Sequence, residues 1–290
     1  MRITDIIMDF DGTCTVIPDI YQAFLSEYLA GLNNTAFSGS PIMAEEWKDA
    51  QEKVRMHSPQ AAWTIAYAPA APAAADPYIL SFEAAKYLLW KKNIQKDIPQ
   101  EVFKNASDRF PAPWRPEARE VFETLLKKNI NITFISNSSS RTITQRLLNL
   151  FSVQELPFGI AVKSDAAKFR IAELPWYSAI SQDAQGLFQA VPVTHKDVGI
   201  GRPVYLQRAA YFEAICAAFN NDLARLPTTV VCGDIWEMDL ALPYELGANI
   251  HLIERASPFD TYGYERKATL QDTRRGKVSK DLGGLLEWVK

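Results

Sequence analysis

Ile3-Thr4-Asp5-Ile6-Ile7-Met8-Asp9-Phe10-Asp11-Gly12-Thr13 is the stretch on which the reading of this chain turns. Residues 3–8 form a short apolar run, rich in isoleucine, that ends abruptly in two acids and a glycine. A parallel strand buried on both faces has this pattern, apolar throughout and then polar at its carboxyl end. Asp9 and Asp11, separated by one residue at that end, can converge on one cation. A carboxylate so placed can attack a phosphoryl group and form an aspartyl-phosphate. Nucleophile and phosphoryl group are both anionic, so a hard, oxygen-liganded cation is expected between them, and Mg2+ fits. Gly12 allows a sharp turn beside the phosphate.

Outward from this stretch, the spacing predicts helices over 117–128, 142–150 and 209–219. It predicts strands over 130–135, 228–232 and 249–253. Strands alternating with helices imply an α/β, Rossmann-like core with a parallel sheet covered on both faces. Ligands bind outside the carboxyl ends of such strands, where Asp9, Asp11, Ser136 and Asp234 all fall. Residues 18–110 carry helical patterns over 20–32, 43–56, 79–91 and 100–107, and no strand signal. Within them, 68–77 holds Pro69, Pro72 and Pro77 and reads as a loop. Residues 158–162 and 185–193 are weaker strand candidates. The stretch 157–201 is longer than such a core needs and reads as an added lid element.

Three motifs carry a family resemblance. Asp9-Phe10-Asp11-Gly12-Thr13-Cys14-Thr15 resembles the first motif of the haloacid dehalogenase-like hydrolase superfamily. Ile132-Thr133-Phe134-Ile135-Ser136-Asn137 resembles the second, a strand ending in Ser or Thr. Gly233-Asp234-Ile235-Trp236-Glu237-Met238-Asp239 resembles the fourth, with two aspartates five residues apart. The resemblance implies that Asp9 is the nucleophile and a Mg2+ ligand, and that Asp11 is general acid and then general base. It implies that the backbone carbonyl of Asp11 and the carboxylate of Asp234 also bind the metal. Ser136 is expected to donate to a phosphoryl oxygen, with Gly12 and Asn137 beside the substrate, and Asp239 to orient the polar groups around them. The dehalogenating branch lacks an aspartate at the second position, so Asp11 points to phosphate chemistry.

The third motif departs from the family's pattern, which has a lysine or arginine before the helix that precedes the last motif. Arg208 is the nearest cation to the helix over 209–219. Arg202, in Arg202-Pro203, and Lys196 are the alternatives. Arginine could hold the nucleophile and the phosphoryl charge through a bidentate contact.

The resemblance implies two domains: an α/β core over 1–15 and 111–290, and a smaller all-helical cap over 16–110. It implies a Mg2+-dependent phosphatase acting on a small phosphorylated metabolite, with a phosphotransferase or phosphomutase and a non-catalytic phosphate-binding module as alternatives. Composition agrees with an enzyme of this kind. Of 290 residues, 48% are hydrophobic and 22% charged, as in ordinary globular proteins. A net charge of -3 provides no basic field for nucleic acid. No apolar run approaches the ~20 residues that span a bilayer, and residues 1–5 do not open a secretory signal, so a cytoplasmic location is expected. The three cysteines, Cys14, Cys216 and Cys232, form neither a disulfide framework nor a zinc spacing. His57, His195 and His251 follow no metal spacing and are expected to pack or face solvent.

Overall fold

The computed structural model of the protein describes residues 2–175, 179–195 and 198–290. Along the chain, β1 (Asp5–Met8) is followed by α1 (Tyr21–Asn34), α2 (Ala44–His57), β2 (Ala62–Ile65), β3 (Ala68–Pro72), α3 (Pro77–Lys91) and α4 (Gln100–Arg109). Next come α5 (Ala118–Lys127), β4 (Asn131–Phe134), α6 (Ser140–Phe151), β5 (Ile160–Val162), α7 (Gln182–Ala190) and α8 (Ala209–Ala218). The chain ends with β6 (Thr229–Gly233), α9 (Ala241–Glu245), β7 (Asn249–Ile253), α10 (Gly263–Thr269), β8 (Gly276–Ser279) and a 3-10 segment, Leu282–Trp288. These elements divide into two compact units. The first comprises Met1–Thr15, Ile65–Ala71 and Trp114–Lys290, and the second Val16–Thr64 and Pro72–Pro113.

The first unit is built on a parallel sheet in the order β5-β4-β1-β6-β7-β8. Successive residues of β1 point to opposite faces. Ile7 joins Val231, Ile250 and Leu252 beneath Phe188 of α7 and Phe212 of α8. Ile6 and Met8 join Ile132, Phe134, Val230 and Cys232 against α5, α6 and Leu282. Both faces are therefore apolar, which explains a strand sequence with no polar alternation. Chain order runs outward from β1 through β4 to β5, then returns to its other side for β6, β7 and β8. The crevice of a doubly wound sheet forms at such a reversal. Met8 is level with Phe134 on one side and Cys232 on the other, so the segments after β1, β4 and β6 leave the sheet together.

The strand expected within 185–193 is instead α7. Ser181 caps it by accepting from the Ala184 N–H, and Ala184 and Phe188, one turn apart, are both buried. The edge strand β8, whose sequence Gly-Lys-Val-Ser has little apolar content, was not anticipated. The second unit contains α1 to α4 around a buried aromatic group, with the Phe24 ring 4.8 Å from Tyr78 and 5.7 Å from Phe103. The loop expected over 68–77 is corrected in part: Ala68–Pro72 form the strand β3. Ala66 and Tyr67 take positive φ of 47° and 68°, as both central residues of a tight turn can. Pro69 and Pro72 are tolerated because β3 is an edge strand. No helix among the described residues is long and apolar enough to cross a membrane.

On β7, His251 is 1% exposed. Its Nδ1 accepts from Trp288 Nε1 at 2.9 Å, and an indole nitrogen only donates. The proton of the neutral ring therefore sits on Nε2, 2.7 Å from Ser279 Oγ. Burial, with Lys277 beside it, pulls the imidazole down from 6.5 to about 3. The folded state thus prefers the neutral ring. Its contribution is present above pH 6.5 and is lost as pH falls toward 3. Unfolding free energies from urea titrations across that window should fall with a one-proton slope, about 1.4 kcal/mol per pH unit, which His251→Gln lacks relative to wild type. Parallel pH profiles for the two proteins would contradict the assignment.

Candidate active site

The segment after β1 is held by its own backbone and by Arg115. Cys14 N–H donates to Phe10 O, while Arg115 donates to Thr13 O at 2.7 Å and Gly12 O at 3.0 Å. Gly12 has φ +80°, and a Cβ there would lie 2.7 Å from Asp234 Oδ2. Only glycine allows both the left-handed turn and this close approach. The turn leaves Asp9 7% exposed. Thr13 Oγ1 stands 2.8 Å from Asp9 Oδ2 and 3.0 Å from Asp234 Oδ1, its single proton shared between two carboxylates.

Among the described residues, the cation against Asp9 is Lys168. Its Nζ lies 2.5 Å from Asp9 Oδ1 and 2.6 Å from Asp239 Oδ1. This corrects the expectation for the third motif. Arg208 stands at the residue before α8 and its side chain donates to main-chain carbonyls, including Lys168 O. Arg202 forms a bidentate pair with Glu237 at 2.7 and 2.8 Å. Lys196 lies outside the described residues. Lys168 sits on the loop after β5, well upstream of α8, because the long excursion through α7 separates the two. The hydrogen bonds that fasten this loop to the segment after β4 include Asp165 N–H to Ser138 O, Ala166 N–H to Ser136 O, and Lys168 N–H to Asn137 Oδ1. The one signal in the sequence was a lysine shortly after a weak strand, and only those tethers carry it to Asp9.

Asp234 precedes a turn of π-helix, Trp236–Leu240, and Asp239 lies within it, a local form often found at functional sites. Asp239 Oδ2 accepts from Ile235 N–H at 3.0 Å, closing the turn. A Cβ on Gly233 would lie 2.3 Å from Asp239 Cβ, so glycine is needed there for close approach. Arg255, ion-paired with Glu265, donates to Asp234 O, and Glu265 accepts from Trp236 N–H. Ser136 is 1% exposed at the end of β4. Asn137 lies beside it, with its carbonyl oxygen on the Lys168 N–H. The Asp11 carboxylate accepts from the Ser138 hydroxyl.

Electrostatics separate the carboxyls. Burial pushes Asp9 up to about 7 against the pull of Lys168. Burial also raises Asp11, opposed by the Ser138 hydrogen bond and by Arg146. Burial opposes the Lys168 charge, but Asp239 and Asp9 outweigh it and hold the ammonium above its ordinary value. Asp9, Asp234 and Asp239 bring carboxylate oxygens within 4.8 Å of one another, and all three residues are buried. An all-oxygen donor set suits a hard cation. The single charge of Lys168 falls short of three carboxylates, so these residues fit a divalent ion. Asp9 and Asp234 are the better donors, since Asp239 holds Lys168 and closes its own turn on the Ile235 N–H, whereas the contact that Asp9 Oδ2 and Asp234 Oδ1 share is a Thr13 hydroxyl that can rotate away.

No family model matches the sequence, and no curated protein matches it either. Solved structures do match in fold. YfnB of Bacillus subtilis, a candidate HAD-hydrolase solved with magnesium bound, is 10% identical with a TM-score of 0.51, covering 100% of both chains. A candidate β-phosphoglucomutase of Thermotoga maritima is 12% identical with a TM-score of 0.49, covering 99% of this chain and 100% of its own. A candidate phosphoglycolate phosphatase of Haemophilus somnus is 12% identical with a TM-score of 0.48, covering 100% of this chain and 99% of its own. Haloacid dehalogenases are also among the matches. At these identities the likeness is one of fold.

Proposed function

Starting from a chain with the fold of the haloacid dehalogenase-like hydrolases, we propose that it is a Mg2+-dependent phosphatase of small phosphomonoesters, acting through an aspartyl-phosphate on Asp9. The observation that carries this reading is the contrast between two carboxyls at one strand end. Asp9 faces the Lys168 ammonium at 2.5 Å, which favours an ionised nucleophile. Burial raises the proton affinity of both carboxyls, but Asp11 has the Ser138 hydroxyl rather than an ammonium in contact with it, which leaves Asp11 the one able to carry a proton to the leaving oxygen. Neighbouring carboxyls with different surroundings divide acid and base work in this way.

In this mechanism an Asp9 oxygen attacks phosphorus while the bond to the leaving oxygen breaks. Asp11 gives its proton to that oxygen, which departs as the alcohol. Asp11, now a carboxylate, takes a proton from water as the water oxygen attacks the phosphorus of the aspartyl-phosphate. Phosphate leaves and Asp9 is restored. Lys168 keeps Asp9 oriented and offsets phosphoryl charge, and Ser136 donates to a phosphoryl oxygen. Asp9 and Asp234, with the Asp11 carbonyl, would hold Mg2+. Bound there, the ion would shield the phosphoryl charge from Asp9 and favour its ionised form.

The test is release of inorganic phosphate from a panel of phosphomonoesters by the purified protein with Mg2+. Activity should be lost on chelation and return with added Mg2+. Turnover of 2-haloacids in place of phosphoesters would overturn the reading. Transfer of the phosphoryl group to an added alcohol, without free phosphate, would replace hydrolysis with phosphotransfer.

A further inference from the structure

Arg208 is fully buried, yet among the described residues its side-chain hydrogen bonds go only to main-chain carbonyls. Nη1 donates to Lys168 O at 2.7 Å, Nη2 to Ala70 O at 2.8 Å and Nε to Tyr205 O at 3.3 Å. All of these residues belong to the first compact unit. Burying a guanidinium is costly, and charge-assisted bonds offset that cost only when the geometry is well matched. Its planar fork serves separate carbonyls at once, which a lysine ammonium on a single flexible stem does not reproduce.

One of those carbonyls belongs to Lys168, which lies on a loop without regular structure. The Lys168 N–H is held by Asn137 and its carbonyl by Arg208, so both flanking peptide groups are fixed. The ammonium lies 5.7 Å from the centre of the Tyr211 ring. Tyr211 follows Arg208 by three residues, on the same face of the first turn of α8, and its hydroxyl donates to Asp239 O at 2.8 Å. Although α7 and its flanking segments intervene in sequence, Ala172 N–H donates to Gln207 O and Ala209 N–H to Ala172 O. These bonds return the chain to the Lys168 loop. The start of α8 thus bears on Lys168 at its backbone and at its charged end.

We propose that Arg208 is a positioning residue that acts through Lys168, setting the main chain from which the ammonium reaches Asp9 and Asp239. This rests on the reading of Asp9 as nucleophile and Lys168 as its cation. Nζ makes two contacts, at 2.5 and 2.6 Å, and a shift of the backbone loses one or both.

The test is a double-mutant cycle over Arg208→Met, Lys168→Met and the pair, with wild type and Asp9→Asn as references. Arg208→Met should lower kcat about 10- to 100-fold, the range for a displacement near 1 Å, with KM altered less than about twofold. Arg208→Lys should recover little of this, and Arg208→Met should lower kcat no further in the Lys168→Met background. Urea midpoints form a second cycle that needs no activity. Lys168→Met should lower the midpoint by less in the Arg208→Met background than in wild type. Where Arg208→Met does not fold, Arg208→Gln takes its place in both cycles. An unchanged kcat per folded molecule, or additive effects in either cycle, would overturn the proposal and leave Arg208 a purely structural residue. If wild type releases no phosphate, or Asp9→Asn matches it, the reading of Asp9 fails. The midpoint cycle then decides for Arg208 alone: coupling upholds its hold on Lys168, and additivity removes it.

Discussion

Asp9→Asn is expected to lose at least about a thousandfold in phosphate release with Mg2+, because an amide oxygen cannot take the place of the attacking carboxylate. The substitution keeps the shape of the side chain, so the Thr13 contact to Asp9 at 2.8 Å and the Lys168 contact to Asp239 at 2.6 Å should survive. It also removes one of three buried carboxylates grouped within 4.8 Å, relieving like-charge repulsion in metal-free protein. The variant should therefore melt no lower than wild type in the presence of chelator. A large loss of turnover without loss of stability separates a nucleophile from a structural acid. Wild-type turnover by Asp9→Asn would sink the assignment outright, and trapping of wild type by beryllofluoride with no trapping of the variant would strengthen it.

The second large effect is expected at Lys168. The side chain is 1% exposed and pairs with carboxylates that are themselves nearly inaccessible. Lys168→Met leaves Asp9 and Asp239 buried without the ammonium between them. Removing one partner of a buried ion pair costs about 3–5 kcal/mol, and chemical denaturation should show a loss of that size. Turnover should fall as well, since the phosphoryl charge and the nucleophile lose their shared cation. Asp9→Asn and Lys168→Met are thus expected to differ in kind: the first loses chemistry alone, the second chemistry and stability. If Lys168→Met kept both, the correction of the third motif would itself be mistaken, and Arg208 or Arg202 would return as candidates.

What was legible in the sequence was local. An isoleucine-rich run followed by Asp-Phe-Asp-Gly specifies a strand, its burial on both faces and acids at its carboxyl end, because strand burial and strand-end polarity are written within a few adjacent residues. β4, β6 and β7 announce themselves in the same way, and Ser136 and Asp234 follow from them as strand-end residues. Gly12 and Gly233 were legible as motif glycines, although their reason, close approach to Asp234 and Asp239, is tertiary. β3 was hidden by its prolines. β8 was hidden because an edge strand needs little apolar sequence of its own.

The α/β class, the parallel core and the acids at the end of β1 were determined by the sequence alone. The cation was decided only by the tertiary structure. Arg208, Arg202 and Lys196 stand nearer the expected position along the chain, and nothing in their own neighbourhoods ranks them below Lys168. Lys168 reaches Asp9 because β5 and β4 are neighbours in the sheet and the segments that follow them are tied by backbone hydrogen bonds. Arg208 holds the Lys168 carbonyl rather than taking the place of Lys168. Distances between side chains on separate segments depend on how strands are ordered and loops are tethered. Such contacts are long-range in sequence and leave no local pattern from which to read them.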